Sequence, residues 1–378
     1  MESYPLKGEK MINKIKKLFV KKKPVIGIDL GTRAIKLIEL SNADKEPKLL
    51  HIASIPTPEG TITDGVIRER ERLEQALYEL YAQAGNTSTD VVLCFNGKNL
   101  IIRQLRMPIM PEKELAQAVE WEIEKYLPVQ KQDLQLEFLN FGEIQSGPQK
   151  QLNLLVAALP KDVIYTYYEV FSKTGFTLTA IEVLPLALWH AVAKDIKTEK
   201  QDETVFILEL GAQATTVAIY RNEKLLFTRS IPLGGNEIDK SISMMLALPE
   251  SEARKLKEEF GITNPMEDVV GFPEDASEKL QFAIKGTLKD LMQEVQRSIS
   301  FFKLQDREAE INKIHLVGGL ANLKNIEQYF SKELNINTEI YSPSLQGLEN
   351  FADYNIMENR LNPSFITAYG LAVRGALE

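Results

Sequence analysis

Cysteine, positive charge and long apolar runs are all scarce in this chain. One cysteine in 378 residues leaves no partner for an internal disulfide. That residue, Cys94, lies in a short apolar run, 91–95, and reads as a buried strand residue; the chain suits a reducing cytoplasm. The longest apolar stretch, from Val183 to Ala193, holds Pro185 and His190 and is too short to span a bilayer. There is no cationic excess: 45 Lys and Arg against 53 Asp and Glu give a net charge of −8. That balance argues against nucleic-acid binding by the surface as a whole. The basic start, Met11 to Lys23, is not a secretory signal, because lysines break its apolar core. Met11, Ile12, Ile15, Leu18 and Phe19 share one helical face there and permit weak attachment to an anionic membrane. A flexible basic leader is the simpler expectation.

What is present is an ordinary globular composition, 44% hydrophobic and 26% charged, in a chain long enough for two or more domains. One stretch organises it. Val25, Ile26, Ile28 and Leu30 form an apolar run; Gly31-Thr32-Arg33 interrupts it; Ile35, Leu37, Ile38 and Leu40 resume it. That is a hairpin signal. Asp29 is the only acid in the first run, and an acid at the end of a buried strand needs a partner. A nucleotide phosphate with Mg²⁺ is one such partner. Gly31 permits close approach, and the amides of Thr32 and Arg33 can then point at phosphate oxygens. A plain hairpin explains such a stretch equally well when it stands alone.

It does not stand alone. The stretch from Glu203 to Asn222 aligns with it without a gap, roughly 180 residues on, about one domain length. Glu209 falls on Asp29, Gly211 on Gly31, Ala214 on Ala34 and Asn222 on Asn42. Between the two copies the pattern predicts strands over 49–55 and 91–95 with a helix between them, then a β-α-β-β-α-β unit. That unit has helices at 112–127, with Leu115, Val119, Ile123 and Tyr126 inward, and around Val163–Phe171. It carries no cluster of His, Cys or carboxylates of catalytic type, so contact with other proteins is its expected use. After the second copy come Gly234-Gly235 opening a helix, a second helix ending before Gly261, and a long amphipathic helix from Ile284 to Phe302. A strand, 313–317, then runs into Gly318-Gly319 and another helix, and a small-residue tail helix closes the chain. The expected organisation is a leader 1–23, a first half 24–97, an insertion 98–184, a return segment 185–200 and a second half 201–378 with a helical subdomain 249–311.

Two acid-bearing hairpins, an insertion in the first half and a later strand–Gly-Gly–helix resemble the actin-like ATPase fold of actin, sugar kinases, DnaK-type chaperones and FtsA. Within it, the run Gly27 to Leu40, the helix ending Glu294 to Phe302 and the tail Asn362 to Leu377 resemble the PilM family of cytoplasmic type IV pilus assembly proteins. The resemblance covers nearly the whole chain after Pro24. It implies an α/β fold of two duplicated RNase H-like halves with an inserted split-βαβ subdomain. It implies ATP and Mg²⁺ as cofactors. Gly31, Thr32, Arg33 and Lys36 are then the first phosphate loop and Gly211, Ala212 and Gln213 the second. Gly234 and Gly235 lie beside the ribose and phosphates, Lys257 flanks the purine, and Gly318, Gly319 and Leu320 approach the adenosine. Asp29 and Glu209 face the metal, Asp29 through water.

Three positions depart from the family pattern: Glu209 stands where Asp is usual, Ala212-Gln213 where Gly, Ser or Thr is commoner, and Arg254 where an Ala-Glu-x-x-Lys pattern has Glu. ATP binding with slow or absent hydrolysis is the expectation, because a longer acid moves the metal-facing oxygens by about one methylene. The implied role is an adaptor that binds the N-terminal cytoplasmic peptide of a PilN-like bitopic membrane protein. It links the inner-membrane platform of a pilus, or a related type II secretion system, to its motor, and its membrane association is indirect. Copies of the chain itself are a further implied partner. Two alternatives share the fold. One is an FtsA- or MreB-like filament protein, against which the lack of an amphipathic segment after Leu377 weighs. The other is a small-molecule kinase or active ATPase, for which Asp239 and Glu237 are the nearby candidate bases; a solvated first helical turn accounts for both acids as well.

Overall fold

The computed structural model describes residues 24–41, 47–85, 87–126, 133–146, 149–193, 204–263, 273–306, 309–357 and 360–377. The leader and the Gly147-Pro148 turn lie outside them.

The first hairpin is β1 (Val25–Leu30) and β2 (Ala34–Leu40), and β3 (Leu49–Pro56) extends it. A two-residue hairpin follows, β4 (Ile62–Thr63) and β5 (Val66–Ile67), then α1 (Arg70–Ala84) and β6 (Asp90–Phe95). The insertion comprises β7 (Ile101–Pro108), α2 (Glu112–Glu124), β8 (Leu134–Ser146) and β9 (Gln149–Pro160). The chain returns through α3 (Lys161–Ser172), β10 (Thr177–Val183) and α4 (Leu184–Val192). The second half has β11 (Thr204–Leu210), β12 (Thr215–Arg221), β13 (Lys224–Ile231), α5 (Gly235–Leu246), α6 (Glu250–Phe260) and α7 (Glu274–Gln305). It ends with β14 (Lys313–Val317), α8 (Ile326–Leu334), β15 (Asn337–Ile340) and α9 (Ile366–Leu377).

The duplication is plain in the topology. One sheet runs β10-β6-β1-β2-β3 and the other β15-β14-β11-β12-β13. In each, three antiparallel strands are continued by two parallel ones. Strand alternation then builds two kinds of core. Ile26 and Ile28 turn outward onto α1 and α3, as Phe206 and Leu208 turn outward onto α7. Val25, Val205 and Ile207 turn inward onto a shared layer made of α4 and α9. Small residues let that layer close: a Cβ on Gly370 would stand 1.9 Å from the Ala187 carbonyl oxygen, and one on Gly27 2.0 Å from that of Ala368. The small-residue tail expected from the sequence is this packing.

Two expectations are corrected. The β-α-β-β-α-β unit over 98–184 does not exist as one sheet: the insertion sheet is β7-β9-β8 alone, and β10 pairs in parallel with β6. The preceding helix α3 packs in the outer core of the first half through Val163, Val170 and Phe171, with the Tyr167 hydroxyl donating to the Gly65 carbonyl at 2.8 Å. It is the crossover that a parallel pair requires. Tyr126 is not inward either. The helix stops at Glu124, and Tyr126 lies exposed with the Arg103 guanidinium 5.8 Å from its ring centroid.

Candidate functional site

Alternation places Asp29 and Glu209 on the inward faces of their sheets, at the ends of β1 and β11, where the two halves face each other. In β1 Asp29 is directly opposite Lys36 of β2, and the Lys36 Nζ lies 3.2 Å from Asp29 Oδ2. In β11 Glu209 is directly opposite Thr216 of β12. No hydrogen bond or ion pair among the described residues reaches the Glu209 carboxylate. The hydroxyl of Thr216 is buried and likewise without a partner. Burial pushes the Glu209 carboxyl up to about 8; the Asp29 charge raises it further, and Lys36 opposes the rise. Both first-hairpin charges therefore lie near enough to act on the second-hairpin acid. Cys94 of β6 is paired with Asp29; burial, then Asp29, Glu182 and Glu209, pushes its thiol well up.

The hairpin tips reach across. Arg33 Nε donates to Asn236 Oδ1 at 2.7 Å, and its guanidinium lies 3.2 Å from Asp239 Oδ2; both partners belong to the first turns of α5 in the other half. In return, Gln213 Nε2 donates to Asp64 Oδ1 of the first half at 2.9 Å. Gly31 is held by the Thr57 hydroxyl, which donates to its carbonyl at 2.6 Å, and Thr32 sits beside it at the half-buried bend.

The glycines after β13 serve packing first. A Cβ on Gly234 would come within 2.6 Å of the Ala212 carbonyl oxygen and 2.7 Å of that of Gly211. The amides of Gly235 and Asn236 donate to those same carbonyls, at 3.0 and 2.8 Å, so the second hairpin is seated on the start of α5. Glu237 closes that turn by accepting from the Gly234 amide at 3.2 Å. The end of β14 differs from the strand–helix turn expected there. Gly318, at φ +94°, donates to the Pro363 carbonyl, and Gly319–Asn322 form a 3₁₀ turn instead of an α-helix. Leu320 is buried in the second-half core, while the space beside Gly319 is open. Glu209 lies against this turn: a Cβ on Gly318 would stand 2.8 Å from its Oε1.

Lys257 is buried, with Nζ 2.6 Å from Asp239 Oδ1 and 3.1 Å from the Gly235 carbonyl oxygen. Arg254 Nε approaches Asp239 Oδ2 at 3.2 Å. Asp239, 1% exposed, thus holds three cations, Arg33, Arg254 and Lys257. Burial raises its carboxyl pKa against the pull of Lys257 and Arg33. It is neither a solvated first-turn acid nor a free base for an acceptor hydroxyl, and Glu237 is occupied as a cap. Sequence reasoning missed Asn236, Asp64, Thr216 and the anchoring role of Asp239. The one available signal was Arg254, a cation in the place of an acid.

The model of the family described as "Type IV pilus assembly protein PilM" matches residues 27–376. The chain is similar to the cell division protein FtsA of Streptococcus pneumoniae, 20% identical over 93% of this chain and 82% of that protein. The FtsA of Enterococcus hirae is likewise 20% identical, over 88% and 81%. Among solved structures, one described as a PilM-PilN type IV pilus biogenesis complex aligns with TM-score 0.79 and 27% identity, covering 93% of this chain and 98% of that one. The ethanolamine utilization protein EutJ of Carboxydothermus hydrogenoformans aligns at TM-score 0.55 and 15% identity over 97% of both chains, a likeness of fold. The duplicated sheets are those of the actin-like fold, and with a family match over nearly its full length this chain belongs to the PilM family of type IV pilus assembly proteins.

Proposed function

We propose that the chain is a nucleotide-binding adaptor of a type IV pilus inner-membrane assembly platform. It takes up the N-terminal cytoplasmic segment of a PilN-like bitopic membrane protein. The observation that carries this reading is the likeness to the PilM-PilN complex at TM-score 0.79 over 93% of the chain. Among the described residues no helix is long and apolar enough to cross a membrane. In this reading the adaptor meets the membrane through its partner. Pilus motor or platform components are its further contacts.

The cleft supports the nucleotide half of the reading. The Glu209 carboxylate and the orphaned Thr216 hydroxyl sit side by side on the inward face of the second sheet. Lys36 and Arg33 supply positive charge beside them, and the open side of Gly319 leaves room. These groups fit a magnesium–nucleoside triphosphate. Asp29 and Glu209 would face the metal, and Lys36 and Arg33 the phosphates; the metal, when bound, neutralises phosphate charge. With Asp239 and Glu237 both engaged, hydrolysis is expected to be slow.

Calorimetry of the full chain with a synthetic peptide of the partner's N-terminal segment tests the adaptor reading. Saturable binding that a scrambled peptide lacks is the expected result; equal or no binding overturns it. The FtsA likeness favours one other reading, a filament former. Nucleotide-dependent pelleting without peptide binding would replace the adaptor with it.

A further inference from the structure

Each hairpin tip sends one side chain into the opposite half, but the two bridges differ in what they leave behind if broken. Arg33 is the only one of the three cations on Asp239 that comes from the first half. Its side chain is 35% exposed, against 8% for Lys257. If Arg33 withdraws, Asp239 keeps Arg254 and Lys257, so no buried charge is stranded. Its other partner, the Asn236 side-chain oxygen at 2.7 Å, is a neutral acceptor. A phosphate offers a guanidinium two charge-assisted bonds and outcompetes a neutral amide.

We infer that Asn236 competes with the ligand for Arg33. In the nucleotide-free protein Arg33 latches the halves through Asn236 and Asp239. The phosphates of a nucleoside triphosphate take the guanidinium over, and filling the cleft releases the latch. The inference rests on the nucleotide reading above. It makes Asn236 a residue that lowers affinity while touching no ligand, a role opposite to that of an ordinary site residue.

The test is calorimetry on the full chain with Mg²⁺ and a non-hydrolysable ATP analogue, together with spin labels on exposed Gln75 and Lys289, one on each half. Asn236→Ala is expected to tighten binding by roughly threefold to tenfold, and Arg33→Ala to weaken it by about tenfold. The double variant should match Arg33→Ala alone, because no guanidinium remains to be freed. Without nucleotide, Arg33→Ala should broaden the inter-label distance distribution; with saturating analogue, wild type and Arg33→Ala should give the same distribution, because Arg33 then no longer joins the halves through Asn236 and Asp239. Weaker or equal binding by Asn236→Ala, or distances indifferent to Arg33→Ala, overturns the latch and leaves the nucleotide reading standing. A wild type that binds no analogue overturns both.

Discussion

In the first half Asp29 faces Lys36 across its hairpin; in the second, Glu209 faces Thr216 at the same register. Everything beneath is shared: the strand order, the inward placement of the acid, and a glycine two residues on. The first half neutralises its acid locally. The second leaves its acid to burial, so the carboxyl holds a proton up to about pH 8. Duplication kept the scaffold and let the chemistry of its two arms diverge. The divergence is possible because backbone hydrogen bonds set the sheet, while the residue opposite the acid is free to vary on the cleft face.

The largest effect that would break this comparison is in stability against pH. The pKa of Glu209 is raised on folding, from 4.5 to about 8. Folded chains therefore bind the extra proton between those values. The stabilisation is full below about 4.5 and is lost as pH rises through about 8. At roughly 1.4 kcal/mol per unit this amounts to about 3–5 kcal/mol for the nucleotide-free protein. Glu209→Gln should flatten that slope in urea melts from pH 5 to pH 9. Thr216→Lys, which copies the first half, should flatten it too by pairing the acid. An unchanged slope in both variants means that Glu209 ionises freely and the halves are electrostatically alike. Next in size, Asp29→Ala should weaken magnesium–nucleotide binding by roughly tenfold or more, about 1.4 kcal/mol, by calorimetry. Unchanged affinity removes Asp29 from the site. Comparable in size, Gly234→Ala should cost about 1–2 kcal/mol in thermal or urea unfolding, because its Cβ would press on two carbonyls of the second hairpin.

The hairpins, their register and the second acid were legible because strand alternation is local and the repeat carries the acid in phase. Ala368, Gly370, Ala372 and Gly375 showed small-residue packing at the tail without showing what it packs on. The membership of β10 was not legible: its partner β6 lies on the other side of the insertion, and pairing across such a gap leaves no mark in a short window. Asp239 was read as solvated because acids favour first helical turns. Its burial depends on Arg33, 206 residues away in sequence, and on two cations of the next helix. The 3₁₀ turn at Gly319 escaped because strand, glycine pair and apolar period fit either helix type. What a sequence window cannot hold is the opposing half, and the cleft is made of two halves.

The smallest predicted effect separates the two tips. Gln213 donates to Asp64, whose other oxygen already has Lys98 Nζ at 2.7 Å. Gln213→Ala removes one hydrogen bond from a partly exposed carboxylate that keeps its cation, so the expected loss is about 0.5 kcal/mol. Gln213 carries no charge for a phosphate to recruit, so nucleotide affinity should move less than twofold, in contrast to Arg33→Ala. Chemical denaturation and calorimetry of the single variant read both numbers. If Gln213→Ala instead weakens nucleotide binding as much as Arg33→Ala does, the tips act alike despite their chemistry. The asymmetry then lies in the Lys36–Thr216 positions alone.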